Sequence, residues 1–316
     1  MKRLTVAFLS GFIAFCVVTP NALAQSGEAH TIPLVVMNQD GQIVEGLTLQ
    51  NVRIKPATAS VQNIALDVRP RRIVLLVDMS GSMSALLSEG KHITALDYTK
   101  DMAKVFLQTL LRQDSVALDI FGDKEKQIVS FTHDFASIKA AINALPQPRG
   151  TTLAGDALQA ALRDLGPTPG FGDSIVFFSD GQFELDTSDK LIESQRADLG
   201  RCAVRIFLVL PVTSHLHLPL SELMPVIENE MNFMDETGGF AFTPSGFPGY
   251  WPTLEIRSDP IHEIASLSNA IHGTYRVELQ FTHPIRRKRK LQLEIVDNKG
   301  KNMRNVYVLY PHALYQ

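Results

Sequence analysis

Residues 72–82 read RIVLLVDMSGS, an apolar run that ends in an aspartate and two serines. A second apolar run, SIVFFSDG at residues 174–181, has a similar ending. Continuously apolar strands are typical of parallel sheets that are buried on both faces. Because parallel strands end at the same edge of a sheet, we expect Asp78 and Asp180 to lie close together, at the edge where open α/β sheets bind ligands.

Helical and strand-like patterns alternate around these two runs. Further strands are predicted at residues 116–121, 127–131, 204–210 and 240–242. Helices are predicted at residues 96–110, 135–145, 153–165 and 222–237, with a polar helix that ends near residue 199. This alternation predicts an α/β domain with a doubly wound, mostly parallel sheet over residues 70–245.

The two flanks of this region have a different pattern. In residues 25–69, an Asp40-Gly41 step between apolar runs predicts a hairpin, and the polar stretch at residues 55–63 is interpreted as a linker. In residues 246–316, a helix is predicted at 261–271, then strands with one exposed face at 275–281, 291–296 and 306–310, with a turn at 297–300. We therefore expect short β segments on both sides of the α/β region.

The first 24 residues predict a secretory signal peptide. Lys2 and Arg3 precede an apolar stretch at residues 4–18, and residues 22–24 form an Ala-x-Ala cleavage pattern. We expect an exported protein, periplasmic or secreted, with an uncleaved membrane anchor as the alternative. Cleavage would leave Cys202 without a partner for an intramolecular disulfide, so Cys202 is interpreted as a small buried apolar residue, with an intermolecular bridge or a redox role as the alternative.

The composition limits the classes of function. The 316 residues are 45% hydrophobic and 20% charged, with a formal net charge of −3, which gives no sign of nucleic-acid binding. No apolar run beyond the N-terminus is long enough for a membrane helix, which excludes a multi-span membrane protein.

His215 and His217 are predicted to lie in a solvent loop rather than in a metal site. The most basic run of the chain consists of Arg286, Arg287, Lys288, Arg289 and Lys290. It is predicted to be a solvated hairpin loop, with contact to an anionic surface as the alternative.

Oxygen-bearing side chains recur at the predicted sheet edge. The D-x-S-x-S spacing places Asp78, Ser80 and Ser82 on alternate positions of one loop, and Gly81 lets the backbone turn tightly. Carboxylates and hydroxyls suit Mg²⁺ rather than a soft metal, and the motifs hold no His or Cys for zinc. Taken alone, either aspartate would be interpreted as a helix N-cap. Asp123, after another predicted strand, is interpreted as a turn residue, with a place at the rim of the site as the alternative.

Together with Gly150-Thr151-Thr152 ahead of a predicted helix, these motifs resemble the von Willebrand factor type A (VWA) domain, the fold of integrin I domains. The resemblance covers about residues 70–245 and implies a Rossmann-like sheet with a metal-ion-dependent adhesion site (MIDAS). Thr152 fits the family pattern Thr-x-x-x-x-Ala-Leu better than Thr151 does. The implied ligands of Mg²⁺ or Mn²⁺ are Asp78, Ser80, Ser82, Thr152 and Asp180. The resemblance also implies a partner protein whose Asp or Glu carboxylate completes the metal shell.

The flanks are similar to those of the bacterial secreted VWFA-related family of the acidobacterial type. The similarity lies in a Val-x-Gly-Leu-Thr motif at residues 44–48, near the Asp-Gly turn, and in the closing segment from Tyr275 to Pro311. This resemblance implies that the N- and C-terminal flanks pair as one small β-sandwich-like unit beside the VWA domain.

We expect a binding module for protein–protein adhesion or assembly rather than an enzyme. A metal-dependent hydrolase of the exported compartment is the alternative, because phosphatases of the haloacid dehalogenase type also have an aspartate at a strand end. Those enzymes need a second aspartate as general acid, where this chain has Ser80. A cytosolic VWA subunit of an ATP-driven complex is disfavoured by the signal peptide. Because the ligands are expected at a solvent-exposed edge, we expect solvent to screen them and the fold to survive loss of the metal.

Overall fold

The computed structural model describes residues 28–55, 59–88, 92–180, 197–201, 203–210, 234, 236–242, 260–286 and 288–315. Several predictions lie outside the described residues: the predicted signal peptide, Cys202, His215, His217, Arg287 and most of the helices predicted before residue 199 and at 222–237. In chain order the strands are β1 (Ala29–Asn38), β2 (Val52–Lys55), β3 (Ala59–Leu66), β4 (Arg72–Asp78), β5 (Leu86–Ser88), β6 (Ile93–Thr94), β7 (Ser115–Phe121), β8 (Lys126–Thr132), β9 (Ser174–Phe178), β10 (Arg205–Val209), β11 (Phe240–Phe242), β12 (Tyr275–Phe281), β13 (Lys288–Lys290), β14 (Gln292–Ile295), β15 (Val306–Leu309) and β16 (Ala313–Tyr315). The helices are α1 (Ala95–Thr109), α2 (Phe135–Asn143), α3 (Ala154–Asp164) and α4 (Pro260–His272). None of the described helices combines the length and hydropathy needed to cross a membrane.

The central sheet has the strand order β11-β10-β9-β4-β7-β8. Strand β4 pairs in parallel with both β7 and β9, β10 pairs in parallel with β9 and β11, and only the edge strand β8 is antiparallel. The predicted doubly wound, mostly parallel sheet is therefore confirmed. From β4 the chain adds strands first on the β7 side and later on the β9 side. The order of strands thus reverses between β4 and β9, which is the position where such sheets bind ligands.

Successive residues of β4 point to opposite faces of the sheet, and both faces are covered. Ile73, Leu75 and Val77 pack in one apolar core with residues of α1, α2 and α4. Val74 and Leu76 pack in the other core with residues of α3 and with Leu199. Burial on both sides explains why this strand has no polar residue between Arg72 and Asp78.

The two flanks pair with each other, as the second resemblance implied. One sheet has the order β15-β1-β12-β3, so it combines strands from both ends of the chain. A facing layer is formed by β2 with β14 and by β13 with β16. Apolar residues from both layers form a third core, among them Leu34, Val277, Leu293 and Leu314. The chain reverses at the Asp40-Gly41 step as predicted, and Ile43 returns to pair with Met37 through a single bridge.

The interpretation of residues 55–63 as a linker is wrong. Residues 59–66 form β3, which pairs with the whole length of β12. This strand lies at the edge of its sheet and most of its side chains are partly or fully exposed. An exposed edge strand needs few apolar residues, so the polar composition did not indicate a strand.

The prediction of a solvated loop is also wrong for Lys288, Arg289 and Lys290, which form β13 against β16. The Lys288 ammonium pairs with Glu236 at 2.6 Å, and the Arg289 guanidinium lies over the Phe281 ring at 5.1 Å. The strand forms because β16 offers a pairing edge and Glu236 an acidic neighbour, neither of which is local in sequence. Contact of the basic run with an anionic surface stays a prediction.

Candidate metal centre

Three loops meet at the carboxyl end of the central sheet. The loop after β4 is tied to the end of β7, because the Met79 N–H donates to the Phe121 carbonyl at 2.7 Å. It is also tied to the loop before α3 by two backbone hydrogen bonds, from Gly81 N to the Gly150 carbonyl at 3.0 Å and from Arg149 N to the Met79 carbonyl at 2.7 Å. These backbone contacts bring the D-x-S-x-S loop and the threonine loop together without using any of the candidate ligand side chains.

Asp78 is fully buried at the centre of this junction. One carboxylate oxygen accepts the Ser80 N–H at 2.8 Å, and the other accepts the Ser179 hydroxyl at 2.6 Å. Burial raises the pKa of Asp78 to about 6, and the nearby charge of Asp180 adds to this rise, although the hydrogen bonds oppose it. Each carboxylate oxygen can accept a further ligand. The effect of Asp180 on Asp78 agrees with the expectation that the two side chains lie close together. No described Lys, Arg or His side chain forms an ion pair with Asp78.

The two serines of the motif face each other. The Ser80 and Ser82 hydroxyl oxygens lie 2.9 Å apart, with Ser80 buried and Ser82 half-buried. A short 3-10 helix at Gly81–Ser84 follows Ser80, and its turn brings the two hydroxyls to the same side. Asp78 therefore binds a local turn through Ser80 rather than capping an α-helix, and Ser80 itself is the N-cap residue of the short helix.

The threonine loop presents its two hydroxyls differently. Thr151 is exposed, and its hydroxyl donates to an oxygen of Asp123 at 2.9 Å. Thr152 is half-buried, and none of the described residues hydrogen-bonds with its hydroxyl. Thr152 is therefore the better candidate ligand, as the family pattern implies, and its assignment stays a prediction.

The donor set fits a hard divalent cation. It combines two carboxylates with three hydroxyls, which are the oxygen ligands that Mg²⁺ and Mn²⁺ accept. Among the described residues there is no group of three or more His, Cys, Asp or Glu side chains that could hold a metal ion. That finding argues against a site made only of such side chains, the usual kind of zinc site. The same finding does not test the proposed site, because three of its five ligands are hydroxyl groups.

The expectation of a solvent-screened edge is wrong. Asp78, Ser80 and Asp180 are all at least 95% buried. The sheet edge is covered by its own loops, so two carboxylates lie near each other in a region of low dielectric constant. Electrostatic repulsion between them is therefore stronger than it would be at an exposed edge, and a divalent cation would offset it.

Two further polar residues lie at the centre, Ser179, which was not predicted there, and Asp123, for which a place at the rim was the alternative. Ser179 directly precedes Asp180, and its bond to Asp78 depends on the pairing of β4 with β9, which places residues 78 and 179 side by side. Asp123 was interpreted as a turn residue, with a place at the rim as the alternative, and the structure joins it to Thr151 of the threonine loop. Its position directly after β7, at the same sheet edge, is the signal that points to the site.

Comparison with known families identifies the class of domain. Residues 73–182 match the family model described as von Willebrand factor type A domain. The chain therefore contains a VWA domain, and this match includes every candidate ligand from Asp78 to Asp180. The narrower similarity of the flanks to the acidobacterial-type family stays a prediction. A comparison with curated proteins gave no match.

Several solved structures are similar to this chain at low identity. The von Willebrand factor type A protein from Catenulispora acidiphila is 13% identical, with 92% of this chain and 74% of that chain covered and a TM-score of 0.46. An aerotolerance-related membrane protein from Bacteroides fragilis is 15% identical, with 64% and 98% covered and a TM-score of 0.46. Proximal thread matrix protein 1 from the mussel byssus, solved with a zinc-occupied MIDAS motif, is 20% identical, with 68% and 48% covered and a TM-score of 0.45. With TM-scores below 0.5, these likenesses by themselves establish no function for this chain.

Proposed function

We propose that this protein is a metal-dependent binding module that captures a partner protein through a MIDAS. The proposed ligands of Mg²⁺ or Mn²⁺ are Asp78, Ser80, Ser82, Thr152 and Asp180. The observation that carries the proposal is the junction of buried Asp78 with Asp180 and the paired Ser80 and Ser82 hydroxyls at the switch point of the sheet.

The donor set leaves room for an external ligand. Mg²⁺ prefers six oxygen ligands in octahedral geometry and usually keeps some of them as water. When bound, the ion supplies an open coordination position that a partner's Asp or Glu carboxylate can fill. Asp78 and Asp180 hold the cation, while the hydroxyls of Ser80, Ser82 and Thr152 add neutral ligands that leave its positive charge less than fully neutralised.

A binding role fits this site better than catalysis. VWA domains are generally interaction modules, and no observation favours the hydrolase alternative. Ser80 occupies the position where the phosphatases have their general acid, and a serine hydroxyl is too weak an acid to take the place of a carboxyl group there. The signal-peptide pattern of residues 1–24 supports action outside the cytoplasm, in the periplasm or beyond the cell.

Thermal unfolding with added metal tests the site. A ligand that binds only the native state raises stability by RT ln(1 + [L]/Kd), about 2.7 kcal/mol at a hundredfold excess over Kd. We expect Mg²⁺ and Mn²⁺ to raise the melting temperature of the wild type by several degrees relative to EDTA. Asp78→Ala and Asp180→Ala should lose this rise, whereas Asp101→Ala, at an exposed position of α1, should keep it. Zn²⁺ is a useful third ion, because a larger rise with zinc than with Mg²⁺ would contradict the proposed preference.

Capture from the envelope fraction tests the partner. Wild-type protein should retain a specific envelope protein in Mg²⁺ and release it in chelator, while Asp78→Ala retains none. Circular dichroism of Asp78→Ala should match that of the wild type, because the apolar cores on both faces of the sheet are formed by other residues. Equal retention by Asp78→Ala would place the interface elsewhere, and the exposed basic residues Arg286 and Lys290 are then the next to test.

A further inference from the structure

The loop that carries Thr152 is held by an acidic side chain from a neighbouring strand end. Asp123 follows β7, and a single oxygen of its carboxylate accepts both the Thr151 backbone N–H at 2.6 Å and the Thr151 hydroxyl at 2.9 Å. Both bonds join residues that are 28 positions apart in sequence. The contact therefore fixes one loop of the candidate centre against another.

Gly150 lets this carboxylate approach the backbone. Its φ is +87°, in the left-handed region that favours glycine, and a β-carbon on Gly150 would lie 2.2–2.4 Å from the carboxylate atoms of Asp123. No side chain fits in that space without moving Asp123. The glycine and the aspartate thus form a matched pair around Thr151.

Further bonds hold the loop on either side of Thr152. The Gly150 carbonyl accepts the Gly81 N–H from the D-x-S-x-S loop at 3.0 Å, and the Leu153 N–H donates to the Gly122 carbonyl at 3.1 Å. Thr151 is bound by Asp123, and Thr152 lies between these fixed points with its hydroxyl unbonded to any described residue. The arrangement restrains the backbone of Thr152 and holds the exposed Thr151 side chain against Asp123.

We propose that Asp123 is a positioning residue of the metal centre, which clamps Thr151 so that the Thr152 hydroxyl is held ready for the ion. This inference rests on the proposed function. Asp123 acts on the ion only through the threonine loop. Without the clamp, the ion would have to order the loop as it binds, and that cost would appear as weaker affinity. Loss of residues that orient metal ligands typically weakens metal binding about 10- to 100-fold.

The competing explanation is that Asp123 acts through its negative charge. An exposed carboxylate near a cation site would attract the ion at long range, and this effect would fall with added salt. Asparagine separates the two roles, because its amide oxygen still accepts both bonds from Thr151 but carries no charge. A positioning role therefore predicts that Asp123→Asn behaves like the wild type, and that Asp123→Ala does not.

The test is calorimetric titration of the full mature chain with Mn²⁺, together with melting temperatures in EDTA. We expect Asp123→Ala to bind Mn²⁺ about 10- to 100-fold more weakly and Asp123→Asn to stay within about threefold of the wild type. Thr151→Val, which keeps the backbone bond and loses only the hydroxyl bond, should fall between them. This milder variant keeps the test valid should Asp123→Ala unfold.

Asp134→Ala is the matched control, since Asp134 also accepts two backbone N–H groups after a strand of the central sheet, at 3.1 and 3.2 Å from Ala136 and Ser137. It caps α2, so its loss should lower the melting temperature in EDTA and leave the Mn²⁺ affinity unchanged. Wild-type affinity in Asp123→Ala and Thr151→Val, or equally weak binding by Asp123→Asn and Asp123→Ala, would overturn the positioning role. If the wild type and Asp78→Ala both fail to bind Mn²⁺, the proposed function itself fails and this inference falls with it.

Discussion

Replacing Asp119 with asparagine should stabilise the protein at neutral and alkaline pH. Asp119 lies in β7 on the face that packs toward α3, and it is fully buried. Neither of its carboxylate oxygens has a hydrogen-bond partner among the described residues. Burial, followed by the neighbouring Asp164 at the end of α3 and then by Glu125, raises the pKa of Asp119 to about 8. The folded protein therefore keeps this carboxyl protonated at pH 7.

The size of the effect follows from linkage between protonation and folding. In the unfolded chain an aspartate has a pKa of about 3.9, and each pH unit of difference corresponds to about 1.36 kcal/mol. Below pH 4 both states are protonated, so Asp119 has no effect on stability. Between pH 4 and pH 8 only the unfolded chain releases the proton, so the folded state loses stability steadily, and above pH 8 the loss is constant. At pH 7 the penalty is about 4 kcal/mol by this reasoning.

Asparagine removes the proton-linked part of this penalty. The asparagine amide still has to be buried, but it can donate to the Asp164 carboxylate. That carboxylate also accepts a hydrogen bond from the Gln127 amide at 2.7 Å. Because burying an amide also has a cost, we expect a net gain of about 2–3 kcal/mol at pH 7. The gain should shrink toward zero near pH 4.

Urea unfolding of the wild type and Asp119→Asn at pH 5, 7 and 8.5 measures this difference. The titration of other groups, Asp78 included, largely cancels in the comparison of the two proteins. Asp101→Asn, an exposed carboxylate on α1, is the control and should change stability by less than about 0.5 kcal/mol at every pH. A gain that does not depend on pH would refute the reasoning, since it means that Asp119 is ionised in the folded protein at all three pH values. A loss of stability at pH 7 would also refute the expected gain, since burial of the amide would then cost more than the proton-linked penalty.

Two further predictions concern buried polar contacts that join the central sheet to α4. The fully buried Arg205 donates to the Ala270 and Ile271 carbonyls at 2.8 and 3.1 Å. Arg205→Ala should therefore lower the free energy of unfolding in urea by about 3 kcal/mol or more, and should speed hydrogen exchange in α4. Unchanged exchange in α4 would contradict this role. Asp114 accepts a bond from His272 at 2.7 Å, and its pKa is lowered despite burial because His272 and nearby backbone N–H groups hold the charged form. Asp114→Asn should therefore lower the free energy of unfolding by about 2 kcal/mol at pH 7. The difference from the wild type should disappear as the pH falls below about 4, and acid unfolding curves of the two proteins measure it.

The central sheet could be predicted from sequence because its signals are local. Strands β4 and β9 are buried on both faces and therefore contain unbroken apolar runs, and each run ends where its strand ends. Asp78, Ser80, Ser82 and Asp180 lie at or just after those ends, so their types and spacing are visible beside the apolar runs, whereas Thr152 was placed by the family pattern. Residues 73–182, the part that matches the VWA family, contain all of these signals.

The flanking strands depend on partners that are distant in sequence. Strand β3 pairs with β12, more than 200 residues later, and β13 pairs with β16 near the C-terminus. Each has a partly exposed face, so its composition resembles that of a loop. Only the position of the partner strand distinguishes such a strand from a loop, and no local sequence pattern contains that information.

Buried polar groups were missed for a related reason. Arg205 begins β10 and Asp119 lies inside β7, and the other residues of both strands are mainly apolar, so each charged residue would be expected at an exposed position. Two nitrogens of the Arg205 guanidinium donate to carbonyl groups at the end of α4, and burial favours the neutral form of Asp119. Both solutions depend on what packs against the strand, so neither could be derived from the residue itself.

The same distinction applies to the metal centre and changes the expected effect of the ion. The motif identifies the ligand atoms, but burial of Asp78 comes from the backbone bonds that close the loops over it, such as those between Met79 and Phe121 and between Gly81 and Gly150. Because Asp78 and Asp180 are both buried, their repulsion is poorly screened by solvent or salt. A bound cation therefore offsets a penalty already present in the folded chain, so added Mg²⁺ should still raise the melting temperature in high salt, where an exposed site would lose much of its effect.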